Sequence, residues 1–187
     1  MRIIGGNFKG KKILEPKDKK TRPLKDLTKE SIFNIIKHNN EFSIEIKDSE
    51  VLDLFSGTGS FGLECLSRGA KHVTFVENYP GILPILKRNL NNLNNLKNYK
   101  IIERDILYNF KYATLQKKFD IIFLDPPYKE KNLKILIYSL IENKILKTEG
   151  IIIIHRHKKQ IDDFPEKFKI LNQKKYGLSK IIFGTFD

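Results

Sequence analysis

The chain has 187 residues, enough for one well-buried α/β domain with a small appendage and too few for two ordinary domains. Against 22 Asp and Glu stand 35 Lys and Arg, a formal charge of +13 that suits a polyanionic partner such as nucleic acid, although the Lys, Ile and Asn richness also fits a compositional bias. A single cysteine, Cys65, excludes an internal disulfide framework, and no apolar run approaches a membrane span, so a cytoplasmic, soluble protein acting as a monomer is expected.

Residues 1–25 interleave Gly5, Gly6, Gly10 and Phe8 with basic side chains, and the alternation at Arg2–Ile4 and Lys12–Leu14 predicts two short strands around a turn. A helix is expected over Leu27–Lys37, capped by Asp26 or Thr28, with Leu27, Ile32, Ile35 and Ile36 inward. Residues 1–40 thus read as an N-terminal unit, a basic arm with a docking helix, and residues 41–187 as the main domain. Arg2, Lys9, Lys12, Arg22 and Lys25, with Lys11, Lys19 and Lys20 among them, are the candidate phosphate contacts.

After the polar 39–50 connection, strands are expected over 51–55, 72–77, 99–103, 119–125 and 150–155, with helices over 60–68, 82–93 and 131–145. Strands alternating with helices make βαβ units, hence a doubly wound, mostly parallel, Rossmann-like α/β sheet. Pro84 falls where a helix should already be under way, so that helix must start late or kink. Segments 167–175 and 180–186, flanking Tyr176-Gly177-Leu178-Ser179, complete seven strands as a terminal antiparallel hairpin. Cys65 lies in an apolar helical pattern and reads as a small buried hydrophobe.

Two places carry chemistry. The first strand runs through Asp53 and Phe55 into Ser56-Gly57-Thr58-Gly59-Ser60-Phe61-Gly62, and Glu77 ends the next strand, where a carboxylate can accept both hydroxyls of a ribose. Strand, Gly turn, helix, strand and terminal acid in register favour a nucleoside-containing cofactor. Asp53 would repel a pyrophosphate and attract the amino and sulfonium groups of S-adenosylmethionine, so that cofactor is expected over NAD. Asn78 beside Glu77, and Asp105 beyond the third strand, join the candidate pocket, Asp105 suiting the exocyclic amine of an adenine.

The second place is the end of the 119–125 strand, where Asp125-Pro126-Pro127-Tyr128 stops an apolar run at the sheet edge that binds ligands in open α/β folds. An amine conjugated to a nucleobase is a poor nucleophile. Asp125 and the Pro126 carbonyl could accept its hydrogens and free the lone pair for attack on an activated methyl, while Tyr128 stacks on a base turned out of its helix.

These motifs resemble the seven-strand S-adenosylmethionine-dependent methyltransferases of exocyclic amines. More narrowly, Arg2-Ile-Ile-Gly-Gly-Asn-Phe-Lys-Gly10, Thr21-Arg-Pro23 and Lys29-Glu-Ser-Ile-Phe-Asn34 resemble the RsmD family, which methylates N2 of one guanine in small-subunit 16S ribosomal RNA. The resemblance implies that Asp125, Pro126 and Tyr128 form the transfer motif, that Asp53–Gly59 and Glu77 form the cofactor pocket, and that 16S rRNA, within or outside the 30S particle, is the partner. The chain departs from the family at Leu24, where Thr is usual, in Asp26-Leu-Thr-Lys-Glu30, and at His155, where an acid is usual. His155 and His157 share a strand face and read as polar side chains, not a metal site. Rival readings of the same residues are an NAD-dependent oxidoreductase, a noncatalytic RNA-binding or ribosome-assembly module, and an amino-methyltransferase acting on DNA adenine or a protein glutamine.

Overall fold

The computed structural model describes residues 1–16, 24–94, 96–108 and 110–186; Lys19, Lys20 and the Thr21-Arg22-Pro23 pattern lie outside the described residues. Seven strands form one sheet: β1 (Glu50–Leu54), β2 (His72–Val76), β3 (Tyr99–Ile102), β4 (Phe119–Leu124), β5 (Leu146–His157), β6 (Lys169–Tyr176) and β7 (Ser179–Thr185). Their order is β3-β2-β1-β4-β5-β7-β6, parallel from β3 to β5 and antiparallel at β7 and β6. The terminal hairpin is as expected, with β7 inserted between β5 and β6.

Period-two alternation sends the strand side chains to two cores. Val51, Phe75, Phe123 and Ile153 pack beneath α1 (Asp26–His38), α2 (Ser60–Ser67) and α3 (Leu83–Asn91), while Leu52, Leu54, Leu124 and Ile154 pack beneath α4 (Leu133–Glu142). Both faces are covered, which is why these strands read as continuous apolar runs. Cys65 is fully buried in α2, as its pattern indicated. Pro84 sits in the first turn of α3, where its missing N–H costs nothing.

The sheet order reverses between β1 and β4: the chain builds outward from β1 to β3, then returns to β1's other side. The crevice beyond the carboxyl ends of β1 and β4 is the switch point at which such sheets bind ligands. Asp53 and Asp125 stand on its two sides, linked by the β1–β4 register Leu54↔Leu124.

The N-terminal segment differs from its expected form. Its two strands reduce to one antiparallel bridge, Arg2↔Lys12, because the segment docks by tight turns on the end of α2. Asn7 N–H donates to the Ser67 carbonyl (2.7 Å), Phe8 N–H to Ser67 Oγ (2.9 Å), and Ser67 Oγ–H to the Gly5 carbonyl (2.5 Å). A Cβ at Gly6, whose φ is +73°, would stand 1.9 Å from the Ser67 carbonyl oxygen, so only glycine allows this approach. Helix α1 is capped at Lys25, with no side-chain cap from Asp26 or Thr28. Leu27 faces solvent at 70% exposure and Ile35 is half-buried; Thr28, Lys29, Ile32, Phe33 and Ile36 face inward.

Lys29 goes inside because partners wait there. Its ammonium is 0% exposed and donates to the Arg2 carbonyl (2.6 Å) and Ser60 Oγ (3.3 Å), with Asp26 at 3.6 Å and buried Glu64 at 3.8 Å. Burial pulls its pKa down, while Glu64 and Asp26 pull it back up. Glu64 also accepts from Ile4 N–H (2.9 Å) and Arg68 Nε–H (2.8 Å). One charge cluster therefore ties the arm, α1 and the helix that follows the Gly turn.

Candidate active site

A cavity of about 400 Å³ opens at the switch point, within the range of small-molecule sites. From β1 and its turn come Asp53, Phe55 and Gly57; from the end of β2 come Glu77 and Asn78; from the end of β4 come Asp125, Pro126 and Tyr128. Eight of the ten sequence-derived cofactor and transfer residues thus meet at one cavity. The other two lie beside it. Gly59 caps α2 with φ +80°, and a Cβ there would stand 2.5 Å from Leu86. Asp105 lines a neighbouring depression and reaches the cavity through Asn78, whose Nδ2–H donates to Asp105 Oδ2 at 2.7 Å.

The β1 turn is strained where it meets the cavity. Phe55 has φ +58°, a region bulky side chains rarely adopt, and such outliers persist where surrounding structure over-determines them. Part of that determination comes from Glu77. Its Oε2 accepts from Gly57 N–H at 2.7 Å, and its Oε1 from Asn78 N–H (2.9 Å) and Tyr79 N–H (2.8 Å). Two carboxylate oxygens offer about four acceptor sites, so capacity for a ligand hydroxyl remains.

Asp53 is 1% exposed, and its Oδ2 accepts from Gly62 N–H in the first turn of α2 at 3.0 Å. Burial pushes its pKa well above the ordinary 3.8, that hydrogen bond pulls it down, and Asp125 and Glu77 push it up. Since the folded value lies above the unfolded one, protonated Asp53 contributes stability fully present below pH 3.8 and lost as pH rises through the raised value. Asp53→Asn should therefore raise the thermal midpoint at pH 8 by about 2–4 °C, about 1 kcal/mol for this chain length, with little change at pH 4. At pH 8 it should also weaken any cationic ligand by roughly tenfold, about 1.4 kcal/mol. Thermal melts at the two pH values and calorimetric titration check both halves.

The transfer motif is held from behind by β5. Arg156, buried beneath the loop, donates from Nη1 to the Pro127 carbonyl (3.2 Å), from Nη2 to the Glu130 carbonyl (3.0 Å) and from Nε to Asp162 (2.8 Å). Asp162 also accepts from Lys180 Nζ (2.9 Å). Arg156 takes the Pro127 carbonyl, while Pro126, one residue earlier, lines the cavity. The Tyr128 ring stands edge-on to His157, centroids 5.0 Å apart. β5, expected to end at 155, continues to His157 because its last residues pair with β7 from Ser179.

Sequence reasoning missed Arg156 and Leu24. Arg156 was findable, since it continues the inward parity of Ile152 and Ile154, where a charge signals a buried network. Leu24, marked in the sequence only as a departure from the family pattern, is buried in the cavity wall and brings the N-terminal segment to the site. Of the candidate phosphate contacts, Arg2, Lys9, Lys12 and Lys25 are all exposed, with Arg2 N–H and Nε near Asp26 (3.5 and 3.9 Å). Arg22 lies outside the described residues.

Comparison with known proteins agrees with this architecture. The family model described as Conserved hypothetical protein 95 matches residues 1–185. Ribosomal RNA small subunit methyltransferase D of Haemophilus influenzae is 35% identical over 179 residues, 95% of this chain and 90% of that protein. YlbH of Bacillus subtilis is 33% identical over 183 residues, 97% of this chain and 96% of that protein. The solved structure of yhhF from Escherichia coli matches with a TM-score of 0.81 at 26% identity, covering 100% of this chain and 98% of that one. The chain belongs to the Conserved hypothetical protein 95 family, the family of ribosomal RNA small subunit methyltransferase D, over nearly its whole length.

Proposed function

We propose that the protein is a cytoplasmic, monomeric enzyme that methylates the exocyclic N2 amine of a guanine in 16S ribosomal RNA, using S-adenosylmethionine. The observation that carries the chemistry is the meeting of Asp53 and Asp125 across one switch-point cavity, a buried acid on the donor side and a rigid acid at the transfer side. The substrate class follows from family membership and the exposed basic arm. Among the described residues, no helix is long and apolar enough to cross a membrane.

The residues fit the cofactor. Burial raises the pKa of Asp53, and a cation beside it favours the ionised form, so affinity for a cationic donor should rise with pH. Glu77 has acceptor capacity for a ribose. S-adenosylmethionine would supply an activated methyl, and the remaining work falls to the chain. Asp125 and the Pro126 carbonyl accept hydrogen bonds from the amine and orient it, the two prolines and Arg156 hold these acceptors rigid, and Tyr128 provides an aromatic face for a flipped base. Leu24 and Phe55 help to exclude water. Titrating S-adenosylmethionine and NAD against the protein tests the donor assignment: binding of the first alone supports it, and binding of NAD alone overturns it.

Residues 1–40 act as the RNA-contacting extension of the 41–187 domain. Neutralising Lys9, Lys12 and Lys25 together should weaken rRNA binding and reduce the slope of log affinity against log salt by roughly 2, leaving cofactor affinity intact. A filter-binding salt series reads this, and an unchanged slope removes the arm from the interface.

A further inference from the structure

The Asp125 carboxylate is engaged from behind by a side chain of β5. Its Oδ1 lies 2.8 Å from Nδ1 of His155, 3% exposed on the adjacent strand β5. Nε2 of the same ring lies 2.9 Å from Ser179 Oγ, at the start of β7. An ionised carboxylate only accepts, so Nδ1 carries the proton; in the neutral ring Nε2 then accepts from the Ser179 hydroxyl. Two partners on two strands set both the tautomer and the ring plane.

The order Ser179, His155, Asp125 is that of a hydrolytic triad, but the cavity lies at the other end. Asp125 lines it and Ser179 does not. The chain of hydrogen bonds therefore serves the carboxylate, not a serine nucleophile. A carboxylate at position 155 would face a second carboxylate at this distance and oblige the pair to share a proton. Imidazole instead offers Asp125 a hydrogen-bond donor.

We propose that His155, backed by Ser179, is a positioning residue for amine methylation. It engages Oδ1 of Asp125, so that the carboxylate keeps one orientation and Oδ2 remains for the hydrogen of the target amine. This rests on the methyl-transfer reading above. His155 touches neither amine nor methyl donor in this role; it acts through Asp125.

Two amide substitutions separate positioning from bulk. His155→Asn places a donor near the position of Nδ1 and keeps the bond to Asp125, whereas His155→Gln places its donor near Nε2 and loses that bond. His155→Phe removes both bonds and keeps the ring. With the intact protein, S-adenosylmethionine and small-subunit rRNA, kcat should fall roughly 10- to 100-fold in His155→Gln and His155→Phe, with the cofactor dissociation constant unchanged, and His155→Asn should recover most of the loss. A readout without turnover is nitrogen NMR of the His155 ring, expected to show Nδ1 protonated in the wild type and a mixed tautomer in Asp125→Ala. If His155→Phe does not fold, the Asn and Gln pair carries the comparison. An active wild type matched in kcat by His155→Gln, or an Nε2-protonated ring in the wild type, overturns the proposal alone. A wild type inactive on every amine substrate overturns the methyl-transfer reading itself.

Discussion

Asp125→Ala should lower methyl transfer by roughly 10²–10⁴-fold while leaving cofactor binding largely unchanged. The loss follows from the role of the carboxylate. A nucleobase amine shares its lone pair with the ring, and the carboxylate is the ionisable acceptor at the β4 end of the cavity placed to draw its hydrogens away. Binding should persist because the Asp53, Gly57 and Glu77 side of the cavity is untouched by the substitution. Single-turnover transfer and calorimetric titration measure the two effects separately. Retained transfer would remove Asp125 from the chemistry, and lost cofactor binding would place it in the donor pocket instead.

Lys29→Met should destabilise the fold by about 3 kcal/mol, because it leaves Glu64 buried with Arg68 as its remaining side-chain partner. For a chain of this length that is a fall in melting temperature of roughly 6–12 °C. The loss should be uneven. Lys29 holds the Arg2 carbonyl and Glu64 holds the Ile4 N–H, so the arm should lose amide protection before the sheet does. Lys29→Met with Glu64→Leu should regain only part of the stability, since the uncompensated buried charge is gone while Ile4 N–H and Arg68 lose their acceptor. Melting curves and hydrogen exchange over residues 1–14 check both statements. A melting temperature within 1 °C of the wild type in the single variant would contradict the coupling of arm to helix.

Much of this architecture is legible in the residues because burial on both faces leaves a run without alternation. Ile121–Leu124 and Ile151–Ile154 could be little else than central parallel strands, and Pro126–Pro127 had to end one of them. Glu77 and Asp125 stand out as acids at strand ends, where the topology gathers ligands, and Asp53 as a charge inside a buried strand. What escaped depends on partners distant in sequence. Lys29 on α1 reads as a solvated face until Glu64, 35 positions later, is brought beneath it, and Leu27 looks inward until the ammonium takes that side. Glu77 was expected for a ribose, and its backbone bonds to Gly57, Asn78 and Tyr79 appear only when the β1 and β2 turns meet. The N-terminal strands were overestimated because alternation over three residues cannot outweigh docking on Ser67.

The central claim is that one base amine in ribosomal RNA receives the methyl group. Incubating the wild-type protein with labelled S-adenosylmethionine and, separately, 30S particles, naked 16S rRNA and DNA, then digesting to nucleosides, tests it most directly. The account predicts label in N2-methylguanosine from small-subunit RNA and none in the Asp125→Ala control. Label in N6-methyladenine from DNA, with none in ribosomal RNA, would contradict it.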